Sequence, residues 1–372
     1  MPEIDHPLGG GDSIFEQLFA LLQSSGPVNW KLAREVTKSL AGSPEPIEPG
    51  VAEEYQELGT AAALRLDAVA DLPRAPNETI HPTDRATWAA ENQQAFRILV
   101  EPLADKFGGG DLAPLGGMGG MIDPLGPALL GVQAGTMVGF MSHRVLGQFD
   151  TGVPSMEHER AYLVVPNVEE FALVNDLDPR QVRLWAALHE VAFQRIGAIE
   201  WLRGHFVSLV TSYYDTVEFD IAGLMSRLST LDDPSELETL LDAGSSGIPA
   251  LMKGDPDQGL LGKVQAFSAI LTGYGDHLVR LAAGEILPQL DQIAGAYELR
   301  RSEPDQAAQF LAQLGGLDLQ RRRGADAAVF CAEVTRRWGA EALDRIWEDP
   351  ENLPTLAELT DPVGWAARTL LS

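Results

Sequence analysis

Apolar residues recur along this chain mostly at the three-to-four-residue spacing of amphipathic helices, which predicts a mainly α fold with at most a small β element. A first helix is expected over 13–22, opened by Ser13 as N-cap and facing inward through Ile14, Phe15, Phe19 and Leu22. A second starts at Asn29-Trp30-Lys31. Longer amphipathic helices follow over 51–72 and 83–107, the latter carrying Trp88, Phe96, Leu99 and Leu103 on related faces. Residues 108–120 hold seven glycines and read as a loop or hinge. Arg160-Ala161-Tyr162-Leu163-Val164-Val165-Pro166 is the persuasive strand, closed by its proline. Further helices are predicted over 179–195, with Pro179 in the first turn, and over 201–214, 260–283, 304–314 and 326–347. Residues 244–257 read as a loop.

A helix over 128–148 stands apart, because it is apolar and carries Gly131, Gly135 and Gly139 four residues apart. Pro124 to Ser142 contains no charged residue. Such a small-residue stripe packs helices closely in membranes. Pro124, Gly126 and Pro127 crowd its start, however, and Gln133 and Thr136 interrupt it, so it falls short of a span. The expectation is a buried helix whose glycine edge admits a neighbour.

Composition narrows the class. The 372 residues are 45% hydrophobic and 22% charged, as in a soluble globular protein. A net charge of -27 argues against nucleic acid or an anionic membrane as partner, since both require a basic face. The acidic N-terminus has neither the basic nor the apolar region of a signal peptide, and a cytoplasmic location is expected. Cys331 is the one cysteine, which excludes an intramolecular disulfide and a cysteine-rich metal site. Its apolar helical neighbours point to packing rather than nucleophilic chemistry.

The candidate chemistry lies at His189-Glu190-Val191-Ala192-Phe193. In the motif H-E-x-x-H, two histidines one helical turn apart bind Zn²⁺, and the glutamate acts as general base on the bound water. Here Phe193 occupies the second histidine position, and phenylalanine has no lone pair for a metal. A His-Glu pair on a helix is more often hydrogen-bonded or solvated than metal-bound, so the spacing alone does not establish a site. His205 reads as a packed histidine. Arg144 and Gln148, four apart beside His143, read as buried polar scaffolding. Glu200 and Glu218 are not selected by any spacing, and no G-x-S-x-G nucleophile elbow occurs.

Several collinear segments resemble the zincin-like metallopeptidase type 2 family, some of whose bacterial members are associated with deazaflavin-cofactor biosynthesis. They are Val28-Asn29-Trp30-Lys31-Leu32-Ala33, Asp84-Arg85-Ala86-Thr87-Trp88 with Asn92, Arg144 to Asp150, Val165-Pro166-Asn167-Val168, Leu184 to Glu190 and Trp201-Leu202-Arg203. The most specific is Trp347-Glu348-Asp349-Pro350-Glu351-Asn352-Leu353-Pro354-Thr355-Leu356-Ala357-Glu358. The resemblance implies one zincin-like unit over residues 1–372. It also implies that the second zinc histidine falls at Phe193, and that a later Glu-Gly-His element, whose Glu would be the third ligand, falls at Thr272-Gly273-Tyr274. Two of three ligands are thereby replaced, which leaves His189 as a vestigial ligand and Glu190 as a base only if the protein is active. Asp276 and His277 are the remaining substitutes near the lost ligand.

Two functions follow as expectations. One is a zincin-like hydrolase relative with a degenerate HExxF site, a pseudoenzyme that needs no cofactor. The other is an active metal-dependent hydrolase that uses His189 and Glu190 with a rearranged ligand set and zinc. The sequence names no partner.

Overall fold

The computed structural model describes residues 26–108, 125–150, 160–219, 252–254, 256–303 and 322–371. The helices expected over 13–22 and 304–314 lie outside them, as do nearly all of the glycine-rich hinge and most of the 244–257 loop. The described residues form a mainly α structure of thirteen α-helices and two two-stranded sheets. None of these helices is long and apolar enough to cross a membrane.

Helix α1 (Trp30–Ala41) is capped by the Asn29 side chain, which accepts from the Leu32 amide at 3.0 Å. Helix α2 (Pro49–Asp67) leads to strand β1 (Ile80–Thr83), which the sequence reading included in a loop and a helix. At four residues with Pro82 inside, β1 has little periodicity to read, and it exists by parallel pairing with β2 (Ala161–Val164). The helix expected over 83–107 is two, separated by a turn at residues 93–96. Asp84 ends the strand and caps α3 (Arg85–Asn92) by accepting from the Ala86 and Thr87 amides, and α4 (Arg97–Gly108) follows a turn.

Helix α5 (Leu125–Met141) carries the glycine edge, and α1 docks on it. A Cβ at Gly131 or Gly135 would overlap the backbone carbonyls of Asn29 and Ala33, and one at Gly139 would overlap the Leu40 side chain. The Thr37 hydroxyl donates to the Gly135 carbonyl at 3.1 Å across the contact. The helix stops at Met141 rather than Gln148, because the Asn167 amide takes the Ser142 and Val145 carbonyls at 2.8 and 2.7 Å. Arg144 and Gln148 consequently do not share a helix face. Residues 146–148 instead lie beside β2, with Gln148 N donating to Tyr162 O and Val164 N to Leu146 O, each at 2.9 Å.

Pro166 does not close β2 into a loop. It occupies the first turn of α6 (Val165–Val174), where its missing N–H is not needed. Helix α7 (Pro179–Gly197) follows, capped by Asp178. It is buried almost all round, from Trp185 to Ile196, and packs on α2, α6, β2 and the later helices α9 and α10. Helix α8 (Leu202–Asp215) leads to the antiparallel pair β3 (Glu218–Phe219) and β4 (Met252–Lys253). Helix α9 (Gln258–Ala283) is capped by Asp257 and ends at Gly284, whose φ of 47° suits a residue without Cβ. Helices α10 (Leu290–Ser302), α11 (Arg322–Trp338), α12 (Ala340–Asp344) and α13 (Pro362–Leu370) complete the described chain. The helix expected over 326–347 breaks at Gly339, which has φ 93°. Cys331 is wholly buried on α11, and burial pushes its thiol pKa up, as expected of a packing residue.

Gly135→Ala forces a methyl group into the Ala33 carbonyl and is expected to destabilise the protein by about 1–3 kcal/mol. Gly295→Ala on α10 has open space around its new methyl. It should stabilise by up to about 1 kcal/mol. Urea unfolding midpoints of the two variants, compared with the parent, check both signs.

Candidate functional site

Glycines and backbone amides build the surroundings of the His189-Glu190 pair. Both residues sit mid-helix on α7 and are buried, with 4% and 1% of their surface exposed. A buried carboxyl needs partners to offset its lost hydration. Glu190 finds them in the edge segment beside β2: its Oε2 accepts from the Gln148 amide at 2.8 Å and the Phe149 amide at 3.2 Å. That approach requires Gly147, because a Cβ there would overlap the Glu190 carboxyl and come within 2.7 Å of the Tyr162 carbonyl. Burial pushes the Glu190 pKa above the ordinary carboxylate range, while hydrogen bonding and charge from His189 act against the shift.

Phe193 follows His189 by one helical turn, and the two rings stack with centroids 4.4 Å apart. The Phe193 ring also stacks on Phe149 at 6.5 Å. Its far edge lies against α9 at Gly275, where a Cβ would overlap the ring. Two residues earlier, Gly273 meets the backbone of Ala327 and Ala328 on α11 in the same manner. The two glycines thus allow α9 to touch Phe193 on one side and α11 on another.

His189 has a neighbour on each ring nitrogen. Nδ1 lies 3.4 Å from Glu190 Oε1, and Nε2 lies 3.4 Å from the Tyr297 hydroxyl of α10. The Tyr297 hydroxyl donates a short hydrogen bond to Asp150 Oδ1, and Asp150 Oδ2 accepts from the Leu146 amide at 2.8 Å. The Tyr297 ring packs edge-on against Trp185 at 4.7 Å, with the Arg301 guanidinium 4.6 Å over its face. Burial, and then the Asp150 charge, pushes the Tyr297 pKa well up. Neither Tyr297 nor Asp150 belongs to the HExxH pattern, and no spacing in the sequence connects either with His189.

The other candidates are placed elsewhere. The Asp276 carboxylate is paired with Arg301 at 2.9 Å. His277 is buried with Nε2 3.2 Å from the Thr335 hydroxyl on α11, and burial lowers its pKa. Both line a cleft of about 380 Å³ between α9, α10 and α11, whose wall includes Trp185 and Tyr297 but not His189. Thr272 turns its methyl toward Gly324 of α11, and the Tyr274 hydroxyl donates to Asp344 at 3.3 Å. His205 packs between Trp201 and Phe267, while Glu200 and Glu218 are exposed. Among the described residues, no group of three or more His, Cys, Asp or Glu side chains is arranged to hold a metal ion.

Comparison with known proteins places this geometry in a wider group. The sequence profile of the zincin-like metallopeptidase family matches residues 28–366. A crystal structure of a candidate hydrolase with a novel fold, from Chloroflexus aurantiacus, superposes with a TM-score of 0.67 at 22% identity. The superposition covers 93% of this chain and 99% of that one. The chain matches no curated protein.

Glu190→Leu removes the acceptor of the Phe149 amide and leaves the Gln148 amide only the Tyr162 carbonyl, and should cost about 1–3 kcal/mol. Glu190→Gln keeps a carbonyl oxygen in reach and should cost clearly less. Chemical denaturation of the two variants at one pH checks the order.

Proposed function

The chain belongs to the zincin-like metallopeptidase family, and we propose that it is a noncatalytic member, a zincin-like hydrolase relative whose zinc site has become part of the packed interior. The observation that carries this reading is the Phe193 ring stacked on His189 at 4.4 Å, in the position where the family motif places its second metal ligand. A catalytic zinc takes three protein ligands and leaves a fourth position for water. The residues around His189 do not fit that requirement. Phe193 offers no donor atom, Glu190 is engaged by two backbone amides, and Asp276 is committed to Arg301.

Access argues the same way. A peptide or other substrate would have to reach His189 and Glu190, which are at most 4% exposed. The nearby cleft ends at Trp185 and Tyr297, so any ligand there would touch those rings and not the His-Glu pair. Glu190 in this reading serves as an acceptor for the Gln148 and Phe149 amides rather than as a base.

Protein purified without chelator or metal-affinity tag should contain far less than one zinc per chain by elemental analysis, and should show no peptidase activity on unfolded casein with or without added zinc. Zinc near one per chain that disappears in His189→Ala would overturn the proposal. That result would favour an active metal-dependent hydrolase with a rearranged ligand set.

A further inference from the structure

If the zinc site is indeed closed, the closure involves more than Phe193. Resting on the reading above, we infer that the Tyr297 hydroxyl, clamped by Asp150, stands where a metal ion would sit on His189, and that Asp150 is the latent third ligand of that site.

The hydrogen-bond inventory leads there. A phenol has one proton, and Tyr297 gives it to Asp150 Oδ1 in the shorter of its two contacts. Its oxygen is then left as an acceptor facing His189 Nε2 at 3.4 Å, an arrangement that matches the imidazole tautomer with its proton on that nitrogen. A metal needs the lone pair of the same nitrogen, and metal binding to histidine must displace the proton. The phenol thus bridges an imidazole nitrogen and a carboxylate oxygen, two atoms that an ion between them would coordinate.

The plug is held rigidly. Trp185 packs on the Tyr297 ring from one side and Arg301 covers its face, and Arg301 is itself fixed by Asp276 at 2.9 Å and Glu298 at 2.6 Å. Asp150 is fixed too, because the Leu146 amide holds Oδ2 and leaves Oδ1 directed at the phenol. Without the hydroxyl, Oδ1 would face the ring nitrogen of His189. An imidazole is smaller than the Phe193 ring it would replace against Gly275, so Phe193→His fits the existing space. Two independent changes therefore separate this chain from a three-ligand site of two histidines and an aspartate.

The test uses the full-length protein and zinc alone. Parent, Phe193→His, Tyr297→Phe, the double variant and the double variant with Asp150→Asn are each dialysed against zinc. Bound metal is then measured, with folding checked by circular dichroism and coordination by the visible absorption of Co²⁺. Roughly one zinc per chain, and tetrahedral Co²⁺ bands, should appear only in the double variant and be lost on adding Asp150→Asn. Stoichiometric zinc in Phe193→His with Tyr297 intact overturns this inference while leaving the proposed function standing; so does retention of zinc after Asp150→Asn. Zinc on His189 in the parent overturns the proposed function itself. If the double variant does not fold, the imidazole ¹⁵N shifts of the parent decide: a proton on Nε2 of His189 is expected, and an unprotonated Nε2 overturns the inference.

Discussion

The stacking of Phe193 on His189 sets how α9 and the 146–150 segment pack against α7. The far edge of the aromatic ring takes the space of a side chain on α9, and the residue there is a glycine, Gly275. With α9 drawn this close, its opposite side reaches α11, and a second glycine at position 273 permits that approach. Phe149 closes the stack on the third side and brings the edge segment beside β2 up against Glu190. One ring thus fixes the separations of α7, α9 and the 146–150 segment. Each glycine in the arrangement is there because a neighbour occupies the place of its side chain.

Helix α7 also carries several polar side chains into the interior. His189, Glu190, Gln194 and Arg195 are all within the interior, and buried polar groups are costly unless paired. Glu190 accepts backbone amides, and the Gln194 amide donates to the Asn77 carbonyl at 3.0 Å. Arg195 reaches Glu78 at 2.5 Å and Asp67 at 2.9 Å. His189 lies between Glu190 and the Tyr297–Asp150 pair. Side chains and backbone from four separate segments, on α2, at residues 77–78, at residues 148–150 and on α10, thus meet the polar side chains of one helix.

Much of this was legible in the chain itself, for physical reasons that differ by element. Helix α7 could be read from Pro179 and its periodicity, and α5 from three glycines whose spacing demands a close neighbour. Strand β1 could not, since its four residues pair with a strand 81 positions away. The break between α3 and α4 was concealed by apolar spacing that continues across residues 93–96, from Trp88 to Phe96 and Leu99. At the site, the sequence displayed His189, Glu190 and Phe193 because they share one helix. Tyr297, Asp150 and Gly275 are brought to them by tertiary packing, and no periodicity encodes such a meeting.

Crystals grown with excess zinc, with anomalous scattering recorded at the zinc absorption edge, would test most directly whether the site is closed. The account predicts no anomalous peak at His189, with the Tyr297 hydroxyl resolved between Asp150 and the imidazole. A peak roughly 2.0–2.1 Å from His189 Nε2, with the tyrosine displaced, would contradict it.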